Sequence, residues 1–97
     1  MEVRFRSRRL QRCFEDDVEA YRTWGPVVGR RYVARVTGLI ATERVADLYG
    51  MSTLDFHPLT GDQRGQYAIR LTGQMRLIIS VENDRIVTVE EVVDYHG

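Results

Sequence analysis

The spacing of hydrophobic residues changes near the middle of the chain. In the first half, apolar residues recur every three or four positions, which is typical of amphipathic helices. In the second half, they alternate with polar residues, which is typical of strands that bury one face. The pattern predicts an α+β fold in which N-terminal helices pack on one face of a twisted antiparallel sheet.

A strand at residues 2–6 opens the chain, and Ser7 is suited to cap the helix that follows. The buried stripe of that first helix is predicted to contain Leu10, Cys13, Phe14 and Val18. Gly25-Pro26 then interrupts the periodicity, because glycine loosens the backbone and proline suits a first helical turn. A second helix is predicted at 27–41 and a short third helix at 43–48. The second helix is predicted to bury Val28, Tyr32, Val36 and Leu39.

Four further strands are predicted, at residues 54–57, 67–71, 75–81 and 86 to about 93. Turns are predicted at 72–74 and 82–84. Because successive strand residues point to opposite faces, the apolar positions of these strands are expected to face the helices. His57, Arg70 and Arg76 then share the face that the helices leave uncovered. A histidine and two arginines on one face form a candidate phosphate-binding surface.

The 97 residues suit a single domain spanning 1–97, and a composition of 43% hydrophobic and 29% charged residues is typical of globular proteins. No apolar stretch is long enough to span a membrane, and no apolar run follows the N-terminal arginines as in a signal peptide. The single Cys13 suits a reducing compartment. The expectation is a cytoplasmic protein without a membrane partner.

Charge is balanced overall and uneven along the chain. The formal net charge is +0, so the molecule lacks the bulk positive field of a typical nucleic-acid binder. All 14 basic residues are arginine, whose planar guanidinium grips phosphate in a bidentate fashion. Arginines crowd residues 4–9, whereas acidic residues crowd 15–19 and 82–91. The neutral total is compatible with separate positive and negative faces.

Four fragments of the second half resemble motifs of the HigB-type toxins in the RelE/ParE superfamily, in the same order and spacing. Residues 56–62, FHPLTGD, resemble the family's L-H-P-L-K-G-D, and residues 65–70, GQYAIR, resemble G-x-W/Y-S-I-R. Residues 73–77, GQMRL, resemble G-N-W-R-L, and residues 93–96, VDYH, match V-D-Y-H. One such fragment is a weak signal, whereas four in order are a strong one.

The resemblance implies a RelE-like fold and the toxin of a type II toxin–antitoxin system. Members of the family are endoribonucleases that cut messenger RNA on the ribosome and inhibit translation, without a metal or other cofactor. The implied partners are a helix-turn-helix antitoxin of the HigA type, the ribosome and the message.

The chain has two histidines, His57 and His96, and both fall inside the matching motifs. An ordinary pKa of about 6.5 suits histidine to acid and base roles near neutrality. The resemblance also implies that Asp94 and Tyr95 orient the site or contact substrate. It gives Arg76 the role of a phosphate contact. Arg70 and Arg64 are further phosphate-binding candidates from their positions alone.

The chain departs from the family pattern at Thr60, where a lysine is common, and at Met75, where a tryptophan is common. The loss of one cation leaves a second hypothesis open: a weakened toxin or a ParE-like relative that acts by binding an antitoxin or gyrase. A third hypothesis is a metal site built from His57, His96 and Asp94, a ligand set known for divalent metals. No phosphate loop, dinucleotide fingerprint or zinc ribbon occurs in the sequence.

Overall fold

The computed structural model describes residues 1–61 and 65–95 and confirms the α+β fold, with helices on one face of a five-stranded sheet. Its helices are α1 (Arg8–Glu15) and α2 (Asp17–Ala41), followed by two 3-10 helices at Val45–Gly50 and Ser52–Leu54. Its strands are β1 (Glu2–Phe5), β2 (His57–Pro58), β3 (Gln66–Arg70), β4 (Met75–Asn83) and β5 (Ile86–Asp94).

The sheet has the order β1-β5-β4-β3-β2 and is mixed rather than wholly antiparallel. Strands β2 to β5 form the predicted antiparallel meander. Strand β1 instead pairs with β5 in parallel, from Glu2 opposite Ile86 to Phe5 opposite Val89. The periodicity of β1 predicts a strand, but it does not predict that this strand pairs with β5. That pairing depends on how the whole chain packs.

The buried core lies between the helices and one face of the sheet. Its fully buried side chains include Tyr32, Val36, Leu39, Ile69, Leu71, Leu77, Ile79, Val87 and Val89. The strand alternation predicted from the sequence is confirmed by this set. The hydroxyl of Tyr32 donates to the carbonyl of Leu10 at 2.7 Å, and burial raises the pKa of Tyr32 well above its ordinary value. The core therefore contains a neutral phenol with its hydrogen bond satisfied.

The first helix ends earlier than its apolar stripe suggests. Asp16 has an extended backbone, and its carboxylate accepts a hydrogen bond from the amide of Val18 at 3.0 Å, which caps α2. The helical register restarts at this cap. Val18 is consequently 47% exposed, so its predicted place in the buried stripe is wrong.

A sharp bend divides α2 at Gly25, where φ is +83° and ψ is 166°. This conformation favours glycine, and Pro26 then begins the next helical segment, as the sequence predicts. The bend brings Gly29 against the first segment. A Cβ at Gly29 would lie 2.8 Å from the carbonyl carbon and oxygen of Ala20, so only glycine allows this contact between the two segments.

Residues 43–58 differ from the prediction. The expected α-helix at 43–48 is a 3-10 helix that begins at Val45, and the expected strand at 54–57 shrinks to the two residues of β2. Asp84 explains part of the change, because its carbonyl accepts from the amide of Val45 at 2.8 Å and its carboxylate accepts from Ala46 and Arg44. These contacts join residues far apart in sequence, so local periodicity does not encode them.

Two glycines of α2 offer a matched test of this packing. We expect Gly29→Ala to destabilise the fold by about 1–3 kcal/mol, because the new methyl group overlaps the backbone of Ala20. We expect Gly38→Ala to stabilise it by about 0.5–1 kcal/mol, since Gly38 lies inside the helix with open space around its Cα. Urea unfolding measures both, and equal effects of the two substitutions would contradict this description of the bend.

Candidate functional site

His57 lies on the edge strand β2, half-buried, opposite Ala68 of β3. Its Nδ1 lies 2.8 Å from the backbone carbonyl oxygen of Asp55. Because a carbonyl oxygen only accepts, Nδ1 carries the hydrogen in this contact. The neutral ring then has its lone pair on Nε2, which is the arrangement of a proton acceptor.

Asp55 is the residue that the sequence reasoning missed. Its backbone has a left-handed conformation with φ of 47°, and its carbonyl meets the ring of His57. Its carboxylate lies 3.8 Å from the guanidinium of Arg70. Asp55 thus contacts two of the predicted site residues. The alternating pattern around His57 placed Asp55 on the same side, but only the unusual backbone brings its carbonyl to the imidazole.

Arg70 and Arg76 face each other across β3 and β4, directly in register. They therefore share the open face of the sheet, as parity predicts. Arg70 is exposed and pairs with Asp55. Two like charges placed directly opposite each other repel. Asp55 offsets the charge of Arg70, and other acceptors stabilise the charge of Arg76.

The turn between β3 and β4 supplies these acceptors. Nη1 of Arg76 donates to the carbonyl oxygens of Thr72 at 2.7 Å, Met75 at 3.0 Å and Gly73 at 3.3 Å. Arg76 is only 8% exposed, although it lies on the face that the helices leave uncovered. Its buried Nε has no hydrogen-bond partner within the described residues. A buried N–H without an acceptor is costly, so an acceptor brought to Nε would stabilise this arginine.

Tyr95 covers the guanidinium of Arg76, with 5.5 Å between the guanidinium carbon and the ring centroid. This distance is typical of a cation–π contact. The amide of Tyr95 donates to the carbonyl of Gln74 at 2.6 Å, which fixes Tyr95 to the same turn. Tyr95 is 39% exposed, so its ring also reaches solvent at the open face.

Asp94 lies on the other side of the sheet from the residues described above. It pairs with Met75, whose side chain packs against the core on the helix side. Strand alternation therefore puts Asp94 on the opposite side of the sheet from Arg76. The structure thus brings together four residues of the predicted site: His57, Arg70, Arg76 and Tyr95. His96 and Arg64 lie outside the described residues, and their places in the site stay predictions.

Apolar residues form the floor of the open face beside the site. Ala68 and Ile78 are buried in the sheet beside the site, in register with His57, and are not part of the helix-side core. Further along the same face, the Ser80 hydroxyl donates to Glu90 at 2.6 Å. Glu90 also lies 3.5 Å from the guanidinium of Arg6, so its charge is paired at this end of the face.

Within residues 1–61 and 65–95, no three histidine, cysteine, aspartate or glutamate side chains lie close enough together to hold a metal ion. The proposed ligand set includes His96, which is not among these residues. Within the same part of the chain, no helix is long and apolar enough to cross a membrane.

Solved toxin structures share this fold at low sequence identity. YafQ from E. coli strain BL21(DE3) is 16% identical with a TM-score of 0.67, covering 96% of this chain and 91% of its own. The YoeB/ParE toxin from Agrobacterium tumefaciens is 17% identical with a TM-score of 0.57, covering all of both chains. The YoeB-YefM complex from Staphylococcus aureus is 15% identical with a TM-score of 0.55, covering 100% and 98%.

No curated protein sequence matches the chain. The family model described as "RelE-like toxin of type II toxin-antitoxin system HigB" matches residues 3–96, nearly the whole length. This match agrees with the four motif fragments of the second half and with the shared fold. The chain therefore belongs to the HigB-like family of RelE-like toxins of type II toxin–antitoxin systems.

Proposed function

We propose that this toxin is an endoribonuclease that cuts messenger RNA on the translating ribosome. The observation that carries the proposal is the oriented imidazole of His57 on the same sheet face as two arginines. An imidazole with a defined acceptor nitrogen and nearby cations suits cleavage of RNA by its own 2′-hydroxyl.

In the proposed reaction, Nε2 of His57 takes the proton of the 2′-hydroxyl, and the 2′-oxygen attacks the adjacent phosphorus. The bond from phosphorus to the 5′-oxygen breaks, and the leaving oxygen receives a proton from His96. The products are a 2′,3′-cyclic phosphate and a 5′-hydroxyl end. Protons and electron pairs balance without a metal ion, so the proposal includes none.

Arg76 stabilises the negative charge that develops on the phosphate. Its Nη1 is engaged by the turn carbonyls, which leaves the edge formed by Nε and Nη2 for the phosphate oxygens. A cation held in place beforehand, and largely shielded from water, acts strongly on developing charge. Arg70 adds a more exposed charge, and Tyr95 stacks on Arg76 or on a base. Arg64 completes the proposed set as a phosphate contact. Asp94, on the opposite side of the sheet, would orient the site through the end of β5 rather than by touching the phosphate.

The balanced charge supports dependence on the ribosome. Binding to free RNA depends mainly on neutralising phosphates, and a chain with a net charge of +0 gains little from this term. The ribosome would supply the affinity by presenting the message. The proposed partners are therefore the ribosome with its message and a HigA-like helix-turn-helix antitoxin, all in the cytoplasm.

Two observations favour a second candidate, a weakened toxin that acts by binding a protein such as its antitoxin or gyrase. Thr60 brings no charge where the family commonly carries lysine. In addition, Asp55 partly neutralises Arg70, one of the two described cations of the site. The second candidate predicts tight binding to the antitoxin without RNA cleavage on ribosomes.

Substitution of either histidine tests the acid–base assignment. We expect His57→Ala and His96→Ala each to slow cleavage by about 10²–10⁴-fold, because each removes a proton-transfer group. The measurement is the single-turnover rate on ribosomes programmed with a defined message. Circular dichroism of each variant checks the fold, and cleavage at the parent rate by the double variant would rule the assignment out.

The two arginines should differ in their effect on stability. Arg76→Ala is expected to reduce both cleavage and the free energy of unfolding, the latter by about 1–3 kcal/mol, because the carbonyls of Thr72 and Gly73 lose their side-chain donor. The carbonyl of Met75 keeps the backbone amides of Leu71 and Thr72 as donors. Arg70→Ala should reduce cleavage with little effect on stability, since its side chain is exposed. Urea unfolding and ribosome-dependent cleavage rates test this contrast, which fails if Arg70→Ala destabilises the fold as much as Arg76→Ala.

Thr60→Lys is expected to raise the cleavage rate, because an ammonium group at this exposed position adds a charge near the phosphate. Its stability should change by no more than about 0.5 kcal/mol. Thr53→Lys is the control, because Thr53 is also exposed and its substitution adds the same charge in the second 3-10 helix. Equal rates for the two variants would mean that Thr60 does not lie close enough to the phosphate.

A further inference from the structure

The β3–β4 turn is held by arginines from two sides. Arg76 donates to its carbonyls from within the hairpin. Two arginines of α2 reach the same segment from the helix side: Nη1 of Arg31 donates to the carbonyl of Leu71 at 2.8 Å, and Nε of Arg35 donates to the carbonyl of Arg70 at 3.0 Å. Three guanidinium groups thus bind the backbone of residues 70–75, which we call the turn segment.

Arg31 and Arg35 are one helical turn apart and lie on the same face of α2. Neither forms an ion pair with a carboxylate in the described part of the chain. Burial lowers the pKa of Arg35 below its ordinary value, and the neighbouring charge of Arg31 lowers it further. The structure therefore holds two like charges together, and the contacts that compensate them are the two carbonyls of the turn segment.

These two carbonyls belong to residues at the point where β3 ends. Backbone oxygens beyond the end of a ladder need donors from elsewhere, and α2 provides them. The carbonyl of Thr72, the shortest contact of Arg76, comes directly after this point. A shift of residues 70 and 71 would consequently move both the Arg70 side chain and the acceptors that orient Arg76.

We propose that Arg31 and Arg35 are positioning residues for phosphate binding: they hold the end of β3 from the helix side and thereby fix Arg70 and the guanidinium of Arg76. The inference rests on the proposed ribonuclease function. Neither residue needs to touch RNA, because both act through the backbone of the turn segment. Active sites are sensitive to such support, and a misplacement of about 1 Å can cost about 10²-fold in rate.

Arg35 permits an unusually clean test, because its contact uses Nε rather than the end of the guanidinium. In glutamine, the amide nitrogen stands the same number of bonds from the backbone as Nε does in arginine. Arg35→Gln therefore keeps a donor for the Arg70 carbonyl, whereas Arg35→Met keeps the length and loses the donor. Arg35 lines a small apolar cavity with Leu39 and Leu54, and both replacements keep an unbranched side chain at this wall.

Two signals are measured for the full chain: the single-turnover cleavage rate on programmed ribosomes and the position of the Arg76 Nε–H resonance in ¹⁵N NMR. We expect Arg35→Met to slow cleavage at least about tenfold and to move the resonance. Arg35→Gln should stay within about twofold of the parent with the resonance unmoved. Arg30→Met, at an exposed position of the same helix, is the control and should behave as the parent does.

A parent rate and an unmoved Arg76 resonance in Arg35→Met would overturn the proposal. So would equal slowing by Arg35→Met and Arg35→Gln, because charge or bulk would then matter rather than the hydrogen bond. If the parent does not cleave RNA at all, the proposed function fails, and the resonance alone decides whether Arg35 positions Arg76. A role in stability alone would lower the unfolding midpoint of Arg35→Met and leave the resonance unmoved.

Discussion

The site depends on one interaction, the burial of the Arg76 guanidinium among the backbone carbonyls of the β3–β4 turn. A buried cation is costly unless its donors are satisfied, and here three peptide carbonyls accept from Nη1 while Nε has no acceptor within the described residues. Tyr95 stacks on the same group, and its amide is bonded to the turn. The hairpin thus fixes a cation at the open face and holds Tyr95 against it.

Much of the fold follows from the sequence because its signals are local. Alternation along β3 and β4 predicts which residues face the helices, and Gly25-Pro26 predicts the bend in α2. Parity also places Arg70 and Arg76 on one face. The family resemblance, carried by four short motifs, agrees with the family match over residues 3–96.

The remaining features depend on contacts between distant parts of the chain. Parity gives the face of Arg76 but not its burial, which depends on how the turn directs its carbonyls. The contact between the Asp55 carbonyl and His57 depends on a left-handed backbone at Asp55, which the surrounding sequence pattern does not predict. The location of Asp94 on the helix side follows from its register with Met75, and registers are set by the whole sheet. Local periodicity contains none of this information.

The central claim is that an oriented imidazole and a fixed guanidinium cut messenger RNA on the ribosome by transfer within the RNA itself. The most direct measurement is the chemistry of the RNA ends after the purified protein acts on one message, with and without ribosomes. The account predicts 2′,3′-cyclic phosphate and 5′-hydroxyl ends on ribosome-bound message and little cleavage of the free RNA. Ends bearing a 3′-hydroxyl and a 5′-phosphate, or equal cleavage of free and ribosome-bound message, would contradict it.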